Sequence, residues 1–337
     1  MTDQAPDRLL TASAPGKIVL SGEYAVLDGA PAICMAVDRR VYVTISPGVE
    51  AHHTVNAPGH SSECGRFSVA GSELEWLAGG DDFTLVNDVW CVVNAPIPTN
   101  LSLVLDTSEF QDQKSGLKIG IGSSAALVVA LTAALCEFAG IDADIRSLSF
   151  DAHQKFQRGH GSGIDVACSY AGGIVEFSMG ADRVQQIAWP NDLAYALVWS
   201  GVSANTGKKL QRLDKHGAQP SRAALLNSAR RVSQAWRDGS AHAILKEYRD
   251  YIDVLREFSV EHKLGIFDAG HAELADAADG AGVIYKPCGA GGGDVGIVFA
   301  DNEAAVTAFV DNVLPDNYRI LNMNVDPRGV QIVREKP

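Results

Sequence analysis

The residues best suited to chemistry lie in three glycine-rich segments. The first is Lys118-Ile-Gly-Ile-Gly-Ser-Ser-Ala-Ala126, in which Gly120 and Gly122 precede Ser123, Ser124 and Ala125. Two glycines let a backbone approach a ligand closely. The serines open a long apolar stretch with helical character. A helix N-terminus presents unpaired N–H groups and the positive end of the dipole, which favours a phosphate. A tight serine-capped loop is the plainer alternative. The run also fits GxGxxA, but a dinucleotide fingerprint needs a strand running straight into the glycines and an acidic residue about 20 positions on. Here a polar loop of about 13 residues precedes Gly120, and Glu137 falls in the same helix. A Walker A loop fails as well, because no Gly-Lys-Ser/Thr follows at the required spacing.

The second segment, Lys286-Pro-Cys-Gly-Ala-Gly-Gly-Gly-Asp-Val-Gly296, places five glycines between Gly289 and Gly296. So many glycines weaken any regular element, so a close backbone approach to a ligand or another loop is the better reading than a flexible hairpin turn. The third, Ala14-Pro-Gly-Lys-Ile-Val-Leu-Ser-Gly-Glu-Tyr-Ala-Val-Leu27, holds Lys17 among small residues, with Glu23-Tyr24 after Gly22. Lys17 could bind a phosphate or activate a hydroxyl, although in isolation it reads as a surface lysine.

The elements that must position these segments are legible in part. Ser123–Ala139 is the strongest helix: glycines precede it, Gly140 follows at the C-terminal glycine position, and it is apolar nearly all round, which predicts burial. Asp144–Gln157 reads as a second helix, and Ser162–Tyr170 as a third. Strands are predicted at Lys17–Ser21, Val41–Ile45, Leu101–Asp106, Ile174–Phe177 and Tyr195–Ser200. Between the first two, Ala25–Val37 is apolar, with a turn at Asp28-Gly29. Residues 47–85 read as irregular or hairpin, Phe83–Val93 as a helix and Thr107–Ile119 as a loop. After about residue 200, Ser221–Arg237 and Ser240–His262 are long amphipathic helices. Asp268–Ala278 and Glu303–Leu314 are further helices, with strands at Val283–Lys286, Val295–Phe299 and Val330–Val333. Strands mixed with helices without strict alternation predict an α+β fold with two domains, divided as 1–195 and 196–337.

The 337 residues carry 28 Lys+Arg against 41 Asp+Glu, a formal charge of −13. That balance argues against a nucleic-acid binder and an anionic-membrane binder. It leaves room for an anionic small substrate held by a local lysine and backbone N–H groups. The longest apolar stretch, Ala125–Cys136, is about 12 residues, short of the about 20 that span a bilayer. The N-terminus lacks the apolar core of a signal peptide. The six cysteines form no CxxC pair and have no histidine spaced to complete a zinc site, so they read as reduced thiols of a cytoplasmic protein.

Taken in chain order, with Ala14–Leu27 as the first motif, Lys118–Ala126 as the second and Lys286–Gly296 as the third, the three segments resemble the motifs of the kinase superfamily named for galactose, homoserine, mevalonate and phosphomevalonate kinases, the GHMP kinases. The likeness spans essentially the whole chain in layout. It implies an N-terminal α+β domain like the second domain of a ribosomal protein, then a ferredoxin-like C-terminal domain, with ATP in the crevice between them. Within the superfamily, Gly22-Glu23-Tyr24, the run Arg158-Gly-His-Gly-Ser-Gly-Ile-Asp-Val-Ala167, Trp199–Thr206 and the Asp294 that ends the third motif are most similar to phosphomevalonate kinases. The sequence departs from the pattern where a proline usually opens the second motif and at Cys288, where Ser or Thr is common. Mevalonate kinases also hold magnesium with a Glu about 11 residues before the catalytic Asp; the position here is Gln154.

The resemblance implies roles residue by residue. Gly120–Ser124 would wrap the ATP phosphates, Lys118 would neutralise one of them, and Ser124 would place its hydroxyl on Mg2+. Lys17 and Asp165 would be the catalytic pair at the acceptor oxygen. Glu23, Tyr24, Ser162, Gly163, Gly289, Ala290, Gly291 and Gly292 would line the acceptor site, with Arg158 and His160 as candidates for its phosphate. Lys208 and Lys209 read as a solvated pair or a mobile basic cover. The implied reaction is ATP-dependent phosphorylation of 5-phosphomevalonate to 5-diphosphomevalonate, with mevalonate kinase or another small-alcohol kinase as the alternative. A diphosphomevalonate decarboxylase and a non-catalytic sensor fit less well. Expected partners are ATP and a small phosphorylated acceptor, with no nucleic acid and no membrane, and a homodimer as an allowed assembly.

Overall fold

The computed structural model describes residues 9–71, 73–97, 99–180, 183–204, 206–213 and 220–334, less the side chains of Arg183, Thr206 and Lys208. The expectations placed on Asn205 and on the Lys208 side chain lie outside the described residues.

The N-terminal half runs β1 (Leu10–Ser21), a single 3-10 turn (Ala25–Asp28), β2 (Ala32–Pro47), β3 (His53–Asn56), β4 (Gly65–Ala70), β5 (Glu73–Ala78), α1 (Thr84–Val93) and β6 (Leu101–Asp106). Then follow α2 (Ser123–Ala139), α3 (Ile145–Phe156), α4 (Ile164–Ala171), β7 (Ile174–Ser178) and β8 (Arg183–Ile187). The C-terminal half runs β9 (Ala194–Trp199), α5 (Thr206–Leu213), α6 (Pro220–Asp238), α7 (Ala241–Glu261), α8 (His271–Gly280), β10 (Ile284–Pro287), β11 (Val295–Ala300), α9 (Glu303–Val313), β12 (Arg319–Leu321) and β13 (Gln331–Arg334).

Two sheets carry the fold. The larger has the order β13-β1-β2-β6-β3-β4-β5, with β7 and β8 joining at the first half of β2. Strand β2 serves both branches: Ala32–Met35 pairs antiparallel with β7, and Tyr42–Pro47 with β6. The smaller sheet, β10-β11-β9-β12, is antiparallel throughout. The terminal strand β13 returns to the larger sheet, pairing Leu10 with Arg334 and Ser13 with Gln331. Arg40 anchors that return, with Nη1 2.5 Å from Asp326 Oδ2 and Nη2 donating to Gly329 O.

Helix α2 spans the predicted residues and is buried at Ala125, Ala126 and from Val128 to Cys136, against β1, β2 and the helices α1, α3 and α4. An all-apolar helix can be stable only when every face is covered. Helices α6 and α7 pack on each other through stripes such as Leu225, Ala229, Val232 and Trp236, and Ile244, Tyr248, Tyr251 and Leu255, all buried. Helix α6 also reaches β1, β2 and the 3-10 turn, so the helix pair closes over the first motif.

The structure sharpens several expectations. The 47–85 region is three short strands with β4 and β5 antiparallel. The 107–119 loop contains a 3-10 turn at Ser108–Phe110 and a bridge between Gln111 and Lys118. Strands β8 and β12 and helix α5 were not anticipated, because β8 and α5 are short and largely polar and β12 is only three residues long.

Candidate active site

The three motifs converge. Lys17 N–H donates to Ile121 O (2.8 Å), which seats the bulged middle of β1 on the glycine loop ahead of α2. The Lys17 side chain crosses that loop, so a Cβ on Gly122 would lie 2.7 Å from Lys17 Cε. A Cβ on Gly120 would collide with the side chain of Asp294 from the third motif. Both glycines also sit at positive φ, 90° and 81°. They are therefore required by the packing of the other two motifs, a use beyond the ligand approach read from the sequence.

Gly122 sits at the cap position just before α2, and no side chain caps the helix; the first helical bond runs from Ala126 N–H to Gly122 O. The N–H groups of the first turn are left for a ligand. In front of them is a cavity of about 270 Å3 lined by Lys118, Ser123, Ser124, Thr107, Phe110 and Phe156, among others. Exposed Lys118 stands on its wall. An open helix N-terminus of this kind favours the phosphate groups of an anionic ligand.

Lys17 Nζ lies 3.2 Å from Asp165 Oδ1, in the first turn of α4. Burial alone would lower the Lys17 pKa, but the Asp165 carboxylate beside it outweighs that effect and holds the ammonium at about 12. Lys17 is thus cationic across the physiological range. The pair borders a second, smaller cavity of about 110 Å3, shared with His153, Gln157, Ser162, Gly163, Gly289 and Ala290. Ser162 Oγ accepts from Ile164 N–H (3.3 Å) and Gly163, with φ 82°, caps α4, so these two residues shape the helix end beside Asp165.

Tyr24, at φ 59°, donates from its hydroxyl to Ala290 O (2.8 Å), fixing the first motif to the third. Gly291 O accepts from Lys209 Nζ (2.9 Å), Gly265 O accepts from the same ammonium (3.0 Å), and Gly292 N–H donates to Ile266 O (2.7 Å). Lys209 is therefore a half-buried strut, which replaces the solvated or mobile reading. Glu23 lines the small cavity, yet both oxygens of its buried carboxylate are engaged internally: Lys286 Nζ is 2.5 Å from Oε1 and Tyr251 OH donates to Oε2 (2.7 Å). Arg158 is exposed at φ 55°, and neither it nor half-buried His160 is among the described residues lining the Lys17 cavity.

Sequence reasoning gave no role to four contributors. Lys286 and Tyr251 hold Glu23. Asp294, at φ 55°, accepts from Ala204 N–H (3.1 Å) and presses on Gly120; burial pushes its carboxyl up to about 6, against the pull of the Ala204 N–H, Lys17 and Lys209. His153 Nε2 lies 3.3 Å from Ser124 Oγ, and burial lowers its pKa. Gln154, the residue the resemblance pointed to, instead donates to Gly161 O (3.0 Å). The signal for His153 was its place on the apolar face of α3, beside Ser149, Ala152 and Phe156.

For Mg2+, the nearby oxygen donors are the Ser124 hydroxyl and Asp165. Among the described residues no group of three or more His, Cys, Asp or Glu is gathered into a cage. A single hydroxyl beside a phosphate site suits Mg2+, which binds through few protein oxygens and keeps its waters and phosphates.

Comparison with known proteins agrees with this geometry. Residues 104–173 match the GHMP kinases N terminal domain. The chain is 29% identical to a phosphomevalonate kinase from a Streptomyces species, over 88% of this chain and 91% of that one. It is 34% identical to a mevalonate kinase of Methanothermobacter thermautotrophicus, over 58% of this chain and 59% of that one. Its fold is that of the Streptococcus pneumoniae phosphomevalonate kinase solved with phosphomevalonate and AMPPNP, with a TM-score of 0.76 over 94% of this chain and 99% of that one at 18% identity. No helix among the described residues is long and apolar enough to cross a membrane. With three motifs meeting around one lysine–carboxylate pair at an uncapped helix end, and a match to the GHMP kinases N terminal domain over residues 104–173, the chain is similar to the GHMP kinases and is a phosphotransferase.

Proposed function

We propose that the protein transfers the γ-phosphoryl group of ATP to 5-phosphomevalonate, giving 5-diphosphomevalonate. The observation that carries this reading is the Lys17–Asp165 pair, 3.2 Å apart, between the α2 N-terminus and the small cavity. Phosphoryl transfer depends mainly on positioning and charge stabilisation. The first-turn N–H groups of α2 and Lys118 would hold the nucleotide phosphates, and Mg2+ held at Ser124 would neutralise charge on them. Lys17 would bridge the attacking oxygen and the γ-phosphate, with Asp165 orienting its ammonium. A phosphate acceptor is already anionic near neutral pH, since its second pKa is about 6, so Asp165 need not act as a strong base. Ser162, Gly163, Gly289 and Ala290 would line the acceptor pocket.

The same reading assigns residues 1–195 to a nucleotide domain and 196–337 to a C-terminal domain, and takes the protein to be cytoplasmic. Support for the acceptor comes from the Streptomyces relative, which aligns over nearly its whole length. The archaeal relative favours a second reading, mevalonate as the acceptor. ADP release from Mg-ATP, measured with mevalonate, 5-phosphomevalonate and diphosphomevalonate in parallel, separates them. Turnover with 5-phosphomevalonate alone is the expected result; turnover with mevalonate alone supports the second reading. CO2 release from diphosphomevalonate would overturn both.

A further inference from the structure

The Ser124–His153 contact joins the two cavities, because Ser124 lines the larger and His153 the smaller. His153 is 3% exposed in the last turn of α3, with Nε2 3.3 Å from Ser124 Oγ. A serine hydroxyl has one hydrogen to give and two lone pairs to offer. A hydroxyl beside nucleotide phosphates with no other acceptor would turn its hydrogen to a phosphate oxygen, and its lone pairs would no longer be aimed at a cation. An imidazole nitrogen within reach removes that choice.

We infer that His153 is a positioning residue: its Nε2 accepts the Ser124 hydroxyl hydrogen, leaving both lone pairs of Oγ free for the divalent cation that accompanies the nucleotide. The inference fixes a tautomer, with the His153 proton on Nδ1. It also assigns to His153 the place on α3 that the resemblance gave to Gln154, whose amide is turned away to Gly161 O. Imidazole acts here through the serine, not as a cation ligand, which suits a hard cation that prefers oxygen. It rests on the nucleotide half of the proposed function and is independent of the acceptor.

The test is calorimetric titration of AMPPNP into the full chain, with Mg2+ present and again with EDTA, for the wild type, His153→Ala, Ser124→Ala, the double variant and His153→Gln. Outer-shell partners of metal ligands are worth about ten- to hundredfold in metal affinity. His153→Ala is therefore expected to weaken Mg2+-dependent binding about tenfold, leaving binding in EDTA unchanged. Ser124→Ala should weaken Mg2+-dependent binding at least as much, and the double variant should be no worse than Ser124→Ala in the presence of Mg2+. His153→Gln, which keeps an acceptor at similar reach, should recover most of the loss. Additive losses, or an equal loss in EDTA, would overturn the inference. Should His153→Ala fail to fold, His153→Leu fills much of the space without an acceptor and takes its place. No acceptor enters these titrations, so a wrong acceptor assignment leaves their outcome untouched.

Discussion

Lys286 Nζ and Glu23 Oε1 lie 2.5 Å apart with side-chain exposures of 0% and 1%, joining the turn after β1 to the strand that leads into the third motif. The two residues are 263 positions apart in sequence, Glu23 just after a strand of the larger sheet and Lys286 within a strand of the smaller one. Tyr251 completes the arrangement from α7, donating to Glu23 Oε2 and accepting from Gly22 N–H. The pair thus locks the first and third motifs together at the back of the site.

A buried pair with a good partner geometry is strongly destabilised when one member is removed, because the other charge is left unpaired. Lys286→Met should lower stability by about 3–5 kcal/mol, read as the guanidinium midpoint. Glu23→Leu combined with Lys286→Met should be much milder than Lys286→Met alone. A single variant with a near wild-type midpoint would mean the pair does not hold the motifs.

The Lys17–Asp165 pair faces the cavity, and its loss should act on rate. Removing one preorganised charge or donor from a transfer site costs about 10²- to 10³-fold in kcat. Lys17→Met and Asp165→Asn should each fall by that order in single-turnover assays, with nucleotide affinity little changed for Asp165→Asn. Losses confined to KM would assign the pair to substrate binding alone.

How much of this was legible in the sequence depends on the range of the interaction. Helix α2 was readable to the residue because its signals are local: Gly122 before it, Gly140 after it at φ 67°, and apolar residues throughout. The three motifs were found for the same reason. What they do to one another was not readable. Nothing near Gly120 indicates that Asp294 occupies the space its Cβ would need, and nothing near Lys286, at the end of a predicted strand, shows that the ammonium is fully buried on Glu23. Such pairings exist only once both sheets are assembled. His153 is intermediate: its burial follows from helical periodicity, whereas its Ser124 partner on α2 does not.

The glycine geometry can be tested by contrast. Gly120 and Gly116 both have positive φ, 90° and 69°, but a Cβ at Gly116 meets nothing within 4 Å, whereas one at Gly120 strikes Asp294. Gly116→Ala should incur only the left-handed backbone cost of about 1–2 kcal/mol. Gly120→Ala should lower the melting temperature further and abolish detectable AMPPNP binding. Equal effects of the two substitutions would show that Asp294 yields freely and that the close approach has no structural role.

Asp294 also gives the fold a pH dependence of definite sign. Its carboxyl titrates at about 6 in the folded protein against 3.8 ordinarily, chiefly because burial disfavours the charged form. Between those values the folded state binds more protons than the unfolded state, so this group lowers stability as pH rises from about 4 through 6. Above 6 the penalty is constant, at about 3 kcal/mol. Asn keeps an oxygen to accept from Ala204 N–H but never ionises. Asp294→Asn should therefore match the wild type near pH 4 and become progressively more stable than it up to about pH 6, then hold that lead. His271 works the other way: its pKa is lowered to about 4, chiefly by burial, so its contribution is full above 6.5 and lost as pH falls through about 4. That term is common to both proteins and cancels in the difference. Melting temperatures of the two chains from pH 4 to 8 give the curve, and a flat difference, or a wild type more stable at pH 7, would show that the Asp294 carboxylate is stabilised by Lys17 and Lys209 more than burial disfavours it.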